Sequence, residues 1–287
     1  MGNLWKHDMR QGFEMNRAGC VLLFVVLLAS FAMFGLEMRT LLSWVEIEEC
    51  FTLGDALWYL HKGTNFVPSS TSANIYKLPV VWIFQMVLLH YLVGYYPVRD
   101  WQSSGIQVLL RTGSRRRWWA AKVLWVLTVN LLFTLLQTAV LTALTLLMGG
   151  RLSLSLTEIA FSLGAGNLAA LEPMSLFQEI RLLILMPLLV QTALTLLQLF
   201  LMFLVGPFWS FIGLMAYEMA ATCLPSGWLL ANYTMCRRVG EIVPFFDGAK
   251  EAAAGTVGSV LLAAGMIAAG FFLIRKKDIL PKEGNEE

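Results

Sequence analysis

Six long apolar runs dominate the pattern of hydrophobic and polar positions along the chain. The first covers residues 18–36 without an acidic or basic side chain, and the others cover residues 78–96, 123–148, 182–206, 208–224 and 252–274. A helix rises about 1.5 Å per residue and the hydrocarbon layer is about 30 Å thick, so about 20 apolar residues span it. The runs are continuously apolar rather than alternating, which excludes a transmembrane β-barrel. The pattern predicts an all-α integral membrane protein with six transmembrane helices.

The composition favours a single transmembrane domain over residues 1–287. Hydrophobic residues make up 57% of the chain and charged residues 14%, whereas soluble domains contain about 25% charged residues. The segments between the runs are too short to hold a separate soluble catalytic domain. A signal peptide is the alternative for the first run, but no small-x-small cleavage site follows Phe34, so we expect a retained helix.

The distribution of positive charge predicts the orientation in the membrane. Most of the 21 Lys and Arg residues lie before the first run, between the second and third runs, and after the sixth. Cytoplasmic loops carry such an excess, so both termini are predicted in the cytoplasm of a multi-pass plasma-membrane protein. The first outer loop is rich in carboxylates: Glu46, Glu48, Glu49 and Asp55. The pair Arg237–Arg238 on the outer side is the weakest point of this orientation.

The segments outside the runs have their own patterns. In residues 1–17, Trp5, Met9 and Phe13 recur every four residues, which is typical of an amphipathic helix at the membrane surface, with a solvated lead-in as the alternative. The outer loops cover residues 37–77, 149–180 and 225–251, and the last is apolar enough to form a short helix or re-entrant piece in the interface. Cys223 and Cys236 share the outer side and could form a disulfide or stay free.

A short cytoplasmic helix is predicted between the second and third runs, at about residues 104–113. Ser104 followed by Gln107 forms a capping box. Apolar residues then fall on one face, three and four positions apart: Ile106, Leu109 and Leu110. Gly113 suits the left-handed residue that ends a helix, and Ser114 can cap the next helix. Such a rigid, half-apolar helix can fill a cleft on a partner protein and transmit its motion to two spans.

The third run is entered through basic and aromatic residues. Trp118 and Trp119 next to arginines indicate the level of the lipid headgroups. For the arginines of residues 115–117, an anchor on lipid phosphates is an alternative to a role in docking.

The run from Gly105 to Lys122 resembles the coupling-helix signature of type-2 ATP-binding-cassette (ABC) exporter permeases. That signature has a Gly, a small or polar pair, Leu-Leu, a corner, Ser-Arg and a Lys that opens the third span. Many members have Pro where this chain has Gly113, which loosens the corner without removing it. The ending at residues 275–280 is also similar. The resemblance implies that the ATPase-coupling residues are Gly105, Ile106, Gln107, Leu109, Leu110, Arg111, Gly113, Ser114 and Arg115.

The resemblance further implies a six-span permease subunit that works as a dimer with an identical or paralogous permease. A separate nucleotide-binding ATPase subunit would hold ATP and Mg, so this chain itself has no cofactor and is not an enzyme. In agreement, the sequence contains no G-x-x-x-x-G-K-[ST] phosphate loop. The implied cargo is an amphiphile, such as a peptide, lipid-like or drug-like molecule, with protection against an antimicrobial peptide as a narrower possibility. The lipid bilayer is a further expected partner, and no nucleic-acid partner is expected.

A few polar residues inside the runs are candidates for function. Glu218 is the carboxylate within a span, where a charge costs about 2.5–3.5 kcal/mol, so it either lines the export path or holds helices together. His90 has no matched carboxylate in the sequence pattern and is expected to be a packing residue. Two pairs recur at a seven-residue spacing and predict hydrogen bonds between helices: Asn130 with Gln137, and Gln191 with Gln198.

Two further classes of function would require other sequence features. Glutamate-dependent intramembrane proteases typically have a Glu-Glu pair with an arginine four residues later. In this chain the residue four positions after the pair Glu48–Glu49 is Leu53. An ion-coupled secondary carrier, or a membrane sensor or scaffold without transport, is the remaining alternative. A carrier is typically built with paired broken helices, which the sequence does not indicate.

Overall fold

The described part of the chain is built from helices. The computed structural model describes residues 2–44, 50–64, 78–103, 114–165, 174–224, 226–238 and 253–276. The longer helices are α1 (Gly2–Met15), α2 (Arg17–Leu42), α3 (Leu53–His61), α4 (Val80–Ser103), α5 (Arg115–Leu147), α6 (Leu176–Val205), α7 (Pro207–Cys223) and α8 (Ala253–Lys276). Shorter helical turns lie at Glu158–Ala160, Leu230–Thr234 and Cys236–Arg238, and α6 contains a π-helical turn at Arg181–Leu185, just before Pro187.

Five helices of the described residues are long and apolar enough to cross a membrane: α2, α4 over Val80–Pro97, α5, α6 and α8 over Ala254–Arg275. They coincide with five of the six predicted runs, which confirms an α-helical membrane protein. The remaining predicted run is the 17-residue helix α7, about 25 Å long at 1.5 Å per residue. Its crossing stays a prediction. Several helices extend past their apolar run, and α5 begins at Arg115 rather than near residue 123.

The long helices run between two faces of the bundle. At the first, which we call the N-terminal face, α1 lies beside the end of α4 and the start of α5, and Arg115 Nη1 donates to the carbonyl oxygens of Ile274 (3.4 Å) and Arg275 (3.1 Å) at the end of α8. Gly206, at a φ of +91°, joins α6 to α7. At the other, distal face, Trp82 Nε1 at the start of α4 donates to Thr234 Oγ1 (3.0 Å).

The distal face carries a helix that the turn signals in residues 37–77 did not predict. The helix α3 is buried along its whole length and begins with a capping box between Thr52 and Asp55. Asp55 Oδ1 also accepts a hydrogen bond from the Thr157 backbone N–H (2.9 Å), and Thr52 Oγ1 donates to the Ser155 carbonyl (2.7 Å). Gly54 lies against the second loop, where an added Cβ would be 2.1 Å from the Leu154 carbonyl oxygen. Residues 52–55 of the first of these loops and 154–157 of the second therefore pack against each other.

The apolar stripe of α1 packs on protein. Phe13 lies against the ring of Trp125 on α5, with centroids 5.5 Å apart, and Trp5 Nε1 donates to Thr128 Oγ1 at 3.4 Å. Gly12 permits this approach, because a Cβ there would be 2.3 Å from the Trp125 ring. The described contacts place this half-buried stripe on α5, and the position of α1 at the membrane surface stays a prediction.

Trp118 and Trp119 are buried in the bundle. Both rings contact Phe203 of α6 edge-on, with centroids 5.6 and 6.0 Å away. Trp119 Nε1 donates to the Ile267 carbonyl of α8 (3.0 Å), and Gly270 leaves room for its ring. Their rings fill the space between α5, α6 and α8, and their level relative to the lipid headgroups stays a prediction.

Candidate functional site

Most predicted coupling residues lie outside the described part of the chain: Gly105, Ile106, Gln107, Leu109, Leu110, Arg111 and Gly113. Ser114 occupies the N-cap position of α5 with an extended backbone, but its side chain makes no capping hydrogen bond. Arg115 binds the carbonyl groups at the end of α8. Of the two described residues of this predicted set, Arg115 thus connects α5 to α8 at the N-terminal face.

A buried group of charged and polar side chains lies at that face. We call it the Lys122 cluster, and it consists of Asp8, Tyr96, Asp100 and Lys122. Lys122 Nζ lies 2.7 Å from Asp100 Oδ2 and 3.1 Å from Asp8 Oδ2. It also donates to the Tyr96 hydroxyl (3.2 Å), and that hydroxyl in turn donates to Asp8 Oδ1 (2.6 Å). All four residues are at most 2% exposed.

The contacts of the Lys122 cluster offset part of the cost of burying its charges. An ion pair taken out of water is stable only when its remaining protons and lone pairs are also bonded. The ammonium group has three oxygen partners and lies over the Tyr96 ring at 4.4 Å, which adds a cation–π contact. The cluster joins α1, the end of α4 and the start of α5. It therefore holds together the two helices that flank residues 104–113 in the chain.

A second buried polar group lies deeper in the bundle and joins α4, α6 and α7. His90 Nε2 is 2.9 Å from Glu218 Oε1, and His90 Nδ1 is 2.7 Å from Gln198 Oε1. Gln198 Nε2 donates to the His90 carbonyl (3.2 Å). Glu218 is 3% exposed, and its Oε2 atom has no hydrogen-bond partner among the described residues. The expectation that His90 lacks a matched carboxylate is therefore wrong, because α7 brings Glu218 to it.

The amide of Gln198 determines where the proton of this pair lies. Its Nε2 is committed to a carbonyl oxygen, which can only accept, so its Oε1 faces His90 and Nδ1 must carry a hydrogen. His90 Nε2 and Glu218 then share one proton, as imidazolium with carboxylate or as neutral imidazole with carboxylic acid. In both forms the pair has no net charge. A neutral pair is the form that a low-dielectric interior tolerates.

A cavity of about 380 Å³ adjoins this pair between α4, α6 and α7. His90 and Gln198 lie in its wall together with Gly94, Met202 and Pro207, and four aromatic side chains complete it: Tyr91, Tyr95, Phe208 and Phe211. Tyr91 is 41% and Phe208 64% exposed, so the cavity opens at the side of the bundle. Its lining suits an apolar body with a polar or charged end near His90.

The predicted hydrogen bonds between helices are present for three of the four spaced residues. Asn130 Nδ2 donates to Thr195 Oγ1 (2.9 Å), joining α5 to α6. Gln137 Nε2 donates to Gln85 Oε1 (2.8 Å), joining α5 to α4, and Gln198 is the partner of His90 described above. Gln191 is buried, and its Nε2 atom has no partner among the described residues.

Arg237 and Arg238, which argued against the predicted orientation, are bound by other groups at the distal face. Arg238 is buried and caps the end of α7 by donating to the carbonyl oxygens of Ala221 and Thr222, at 2.5 and 2.7 Å, and to Asn232 Oδ1. Arg237 donates to the Leu163 carbonyl at 2.5 Å, and burial lowers the pKa of its guanidinium. Both cations serve helix and loop packing.

The cysteines and potential metal ligands form no further site in the described residues. Cys223 and Cys236 are free thiols rather than a disulfide, and burial raises the pKa of Cys236 to about 12. No three side chains of His, Cys, Asp or Glu in this part of the chain lie close enough to hold a metal ion.

These features define a multi-pass α-helical membrane protein with two buried polar groups between its helices. The chain belongs to the DUF2705 family, described as proteins of unknown function, whose sequence profile matches residues 50–280. No curated protein and no solved structure matches the chain.

Proposed function

We propose that this protein is the permease subunit of an ATP-driven ABC exporter that moves an amphiphilic substrate out of the cytoplasm or membrane. The observation that carries the proposal is the Lys122 cluster, in which Lys122 on α5 and Asp100 on α4 lie 2.7 Å apart on either side of the segment 104–113. A coupling element must be held rigidly at both ends, because a flexible base would absorb the motion of the ATPase. The resemblance of residues 105–122 to a coupling helix supports the same role.

The N-terminal face is cytoplasmic in this proposal, and both termini lie in the cytoplasm of the plasma membrane. The excess of Lys and Arg in the segments at that face supports this orientation. Arg237 and Arg238 no longer argue against it, since both are bound to backbone carbonyl groups of the distal face. The helix α7 is then the sixth span, and its capped end at the distal face agrees with that path.

The partners in this proposal are a separate nucleotide-binding subunit, which supplies ATP and Mg, and a second permease copy or paralogue. The phosphate-loop sequence is missing from the full chain, so the hydrolysis has to come from another chain. Apolar side chains on the outer surface of α2 and α8 leave room for a second permease as well as lipid.

Purification of the complex from its native membrane tests the proposal. The double variant L109D/L110D should lose the co-purifying ATPase, because two carboxylates cannot fill an apolar cleft. The matched control is R116Q/R117Q, which changes two exposed side chains nearby on α5 and should keep the ATPase if these arginines only anchor lipid phosphates. An ATPase that never accompanies the wild-type chain, or that remains on L109D/L110D, contradicts the proposal.

An ion-coupled carrier is the second candidate, and the His90–Glu218 pair favours it, since buried carboxylates with histidine are common proton sites in transporters. The same purification separates the two candidates. A carrier would transport its substrate as an isolated chain in vesicles with a proton gradient and no ATP.

A further inference from the structure

A second cavity, of about 420 Å³, lies at the distal face between the end of α2, the end of α3 and the start of α4. Three charged side chains lie in its wall: Glu37, Lys62 and Arg237. Most of the remaining wall is apolar, and it includes Met33 of α2 and Val80 of α4. No lining residue is shared with the cavity between α4, α6 and α7, so the two cavities are separate.

The two cations of this wall are held side by side. The backbone N–H of Arg237 donates to the Lys62 carbonyl oxygen (3.1 Å). Lys62 Nζ lies over the Tyr59 ring at 3.6 Å, and the Arg237 guanidinium lies over the Trp58 ring at 5.7 Å. Such cation–π contacts attract each positive group to its ring. Both cations therefore have defined positions at the cavity.

The charges of the wall select an anionic ligand. Glu37 is the one carboxylate among the described lining residues, and it accepts from the Tyr59 hydroxyl (2.6 Å) and lies 3.0 Å from Lys62 Nζ. Two cations and one carboxylate give these side chains a summed charge of +1. An anion reduces this sum, whereas a cation increases it and is repelled. The anion need not displace present partners, because guanidinium and ammonium groups each carry several N–H donors.

The depth of the cavity suits a ligand that also has an apolar part. At about 1.5 Å per residue, Glu37 lies about 30 Å along α2 from Arg17, which equals the thickness of the hydrocarbon layer. The charged side chains therefore lie at the level of the distal headgroups. The apolar residues Met33, Leu78 and Val80 are 45–49% exposed and form a rim that is open at the side of the bundle.

We infer that this cavity binds an anionic amphiphile, with the anionic head at Lys62 and Arg237 and the apolar chain on the rim formed by Met33, Leu78 and Val80. Two sources share this chemistry, namely an anionic phospholipid of the distal leaflet and a free single-chain amphiphile. Binding changes no covalent bond. The inference does not rest on the proposed export function, because all the lining residues belong to this chain.

The test uses the full chain in phosphatidylcholine nanodiscs at low ionic strength, where exposed charges are screened least. Three radiolabelled probes carry the same decyl chain: decane-1-sulfonate, decan-1-ol and decyltrimethylammonium. The sulfonate stays ionised at neutral pH, so it cannot bind as a neutral acid. We expect saturable binding of decane-1-sulfonate above empty nanodiscs, with a Kd about tenfold below that of either other probe, because two partly exposed cations act on it together. Equal binding of the three probes, or tighter binding of the cation, would overturn the inference.

Two variants change the charge of the wall in opposite directions. K62Q removes a positive charge, and E37Q removes the negative charge while its amide oxygen can still accept from the Tyr59 hydroxyl. We expect decane-1-sulfonate to bind about fivefold more weakly to K62Q and about fivefold more tightly to E37Q, the range of a partly exposed charge pair. Binding of decan-1-ol should not change. A merely structural pair would weaken sulfonate binding in both variants, and that result would contradict the site.

The control is R151Q, which removes a positive charge from the exposed distal face outside the cavity. It should bind decane-1-sulfonate as the wild type does. A loss as large as that of K62Q would show a general attraction of anions to this face and would overturn the inference. If K62Q or E37Q does not fold, the order of the three probes on the wild-type chain decides alone.

Phosphatidylglycerol in the nanodiscs distinguishes the two sources. Relative to empty nanodiscs of the same composition, it should displace decane-1-sulfonate if a lipid headgroup occupies the cavity, and it should leave binding unchanged if the occupant is a free amphiphile. The outcomes also separate this inference from the proposed function. An ATPase that co-purifies with a chain without sulfonate binding would remove this site but keep the exporter. Sulfonate binding without any associated ATPase would keep the site and contradict the exporter.

Discussion

Lys122 Nζ lies 2.7 Å from Asp100 Oδ2 at the N-terminal face of the bundle, and both side chains are at most 2% exposed. The two residues belong to consecutive long helices, so their contact joins the end of α4 to the start of α5. Asp8 binds the same ammonium group from α1 (3.1 Å). The N-terminal helix is therefore joined to α4 and α5 through the same cluster.

Replacing Lys122 by Met should destabilise the protein by about 3–5 kcal/mol, because Asp8 and Asp100 remain buried without their counter-ion. Thermal unfolding in detergent, followed by fluorescence-detected gel filtration, measures the loss. Adding D8N and D100N should restore much of it, since no uncompensated charge then remains. The control is Lys6→Met on the exposed side of α1. A Lys122→Met variant as stable as this control would show that the cluster does not hold the three helices.

Replacing Gly54 by Ala should cost about 1–3 kcal/mol, since overpacking forces neighbouring atoms apart. The new Cβ would lie 2.1 Å from the Leu154 carbonyl oxygen, and backbone cannot move aside cheaply. Gly35→Ala on α2 is the matched control, because a Cβ there meets no atom within 4 Å and Ala favours a helix over Gly. The unfolding temperature should fall for the first and stay equal or rise for the second. Equal unfolding temperatures would contradict the packing of the two outer loops.

Because His61 on α3 is buried, we expect the protein to lose stability in acid. Burial lowers its pKa from 6.5 to about 4. At pH values between about 4 and 6.5, His61 is protonated in the unfolded chain but not in the folded chain. The free energy of unfolding therefore falls as the pH falls from about 6.5 to about 4, and then levels off. At about 1.36 kcal/mol per pKa unit the loss is on the order of 3 kcal/mol.

Unfolding temperatures between pH 7 and pH 4 test this dependence on His61. The variant H61Q should lose the part of the pH dependence that His61 contributes, whereas His7→Gln on the exposed surface of α1 should keep it. If H61Q and wild type respond to acid in parallel, the buried histidine is not the cause.

The apolar runs predicted the long helices well, because a continuous apolar stretch of about 20 residues matches the thickness of the hydrocarbon layer. The helix α3 was missed although its capping box was present, in Thr52 and Asp55. Its nine residues give too few turns for a periodicity to stand out, and its burial depends on the second outer loop, which is distant in sequence. Local signals were therefore present, but the contact that stabilises the helix is not local.

The pairing of the buried polar residues was even harder to predict from the sequence than helix α3. Glu218 was recognised as a candidate from its place within an apolar run, but its partner His90 lies 128 residues earlier. Both residues fall near the middle of their runs, and this shared depth was the signal that could have paired them. Asp8 lies next to the apolar stripe of α1, and its burial follows from packing on α5. Pairings between helices depend on their neighbours and rotation, which periodicity does not determine.

The proposed orientation predicts opposite labelling of two arginine positions. Arg151 is exposed at the distal face and Arg116 at the N-terminal face. In a chain whose four cysteines are replaced by serine, R151C should react with a membrane-impermeant maleimide in intact cells, because the distal face is outside. R116C should react only after the membrane is permeabilised. The two substitutions remove the same side chain and place the same thiol, so accessibility is what differs. The reverse pattern would invert the orientation, and with it the assignment of the segment 104–113 to the side where ATP is available.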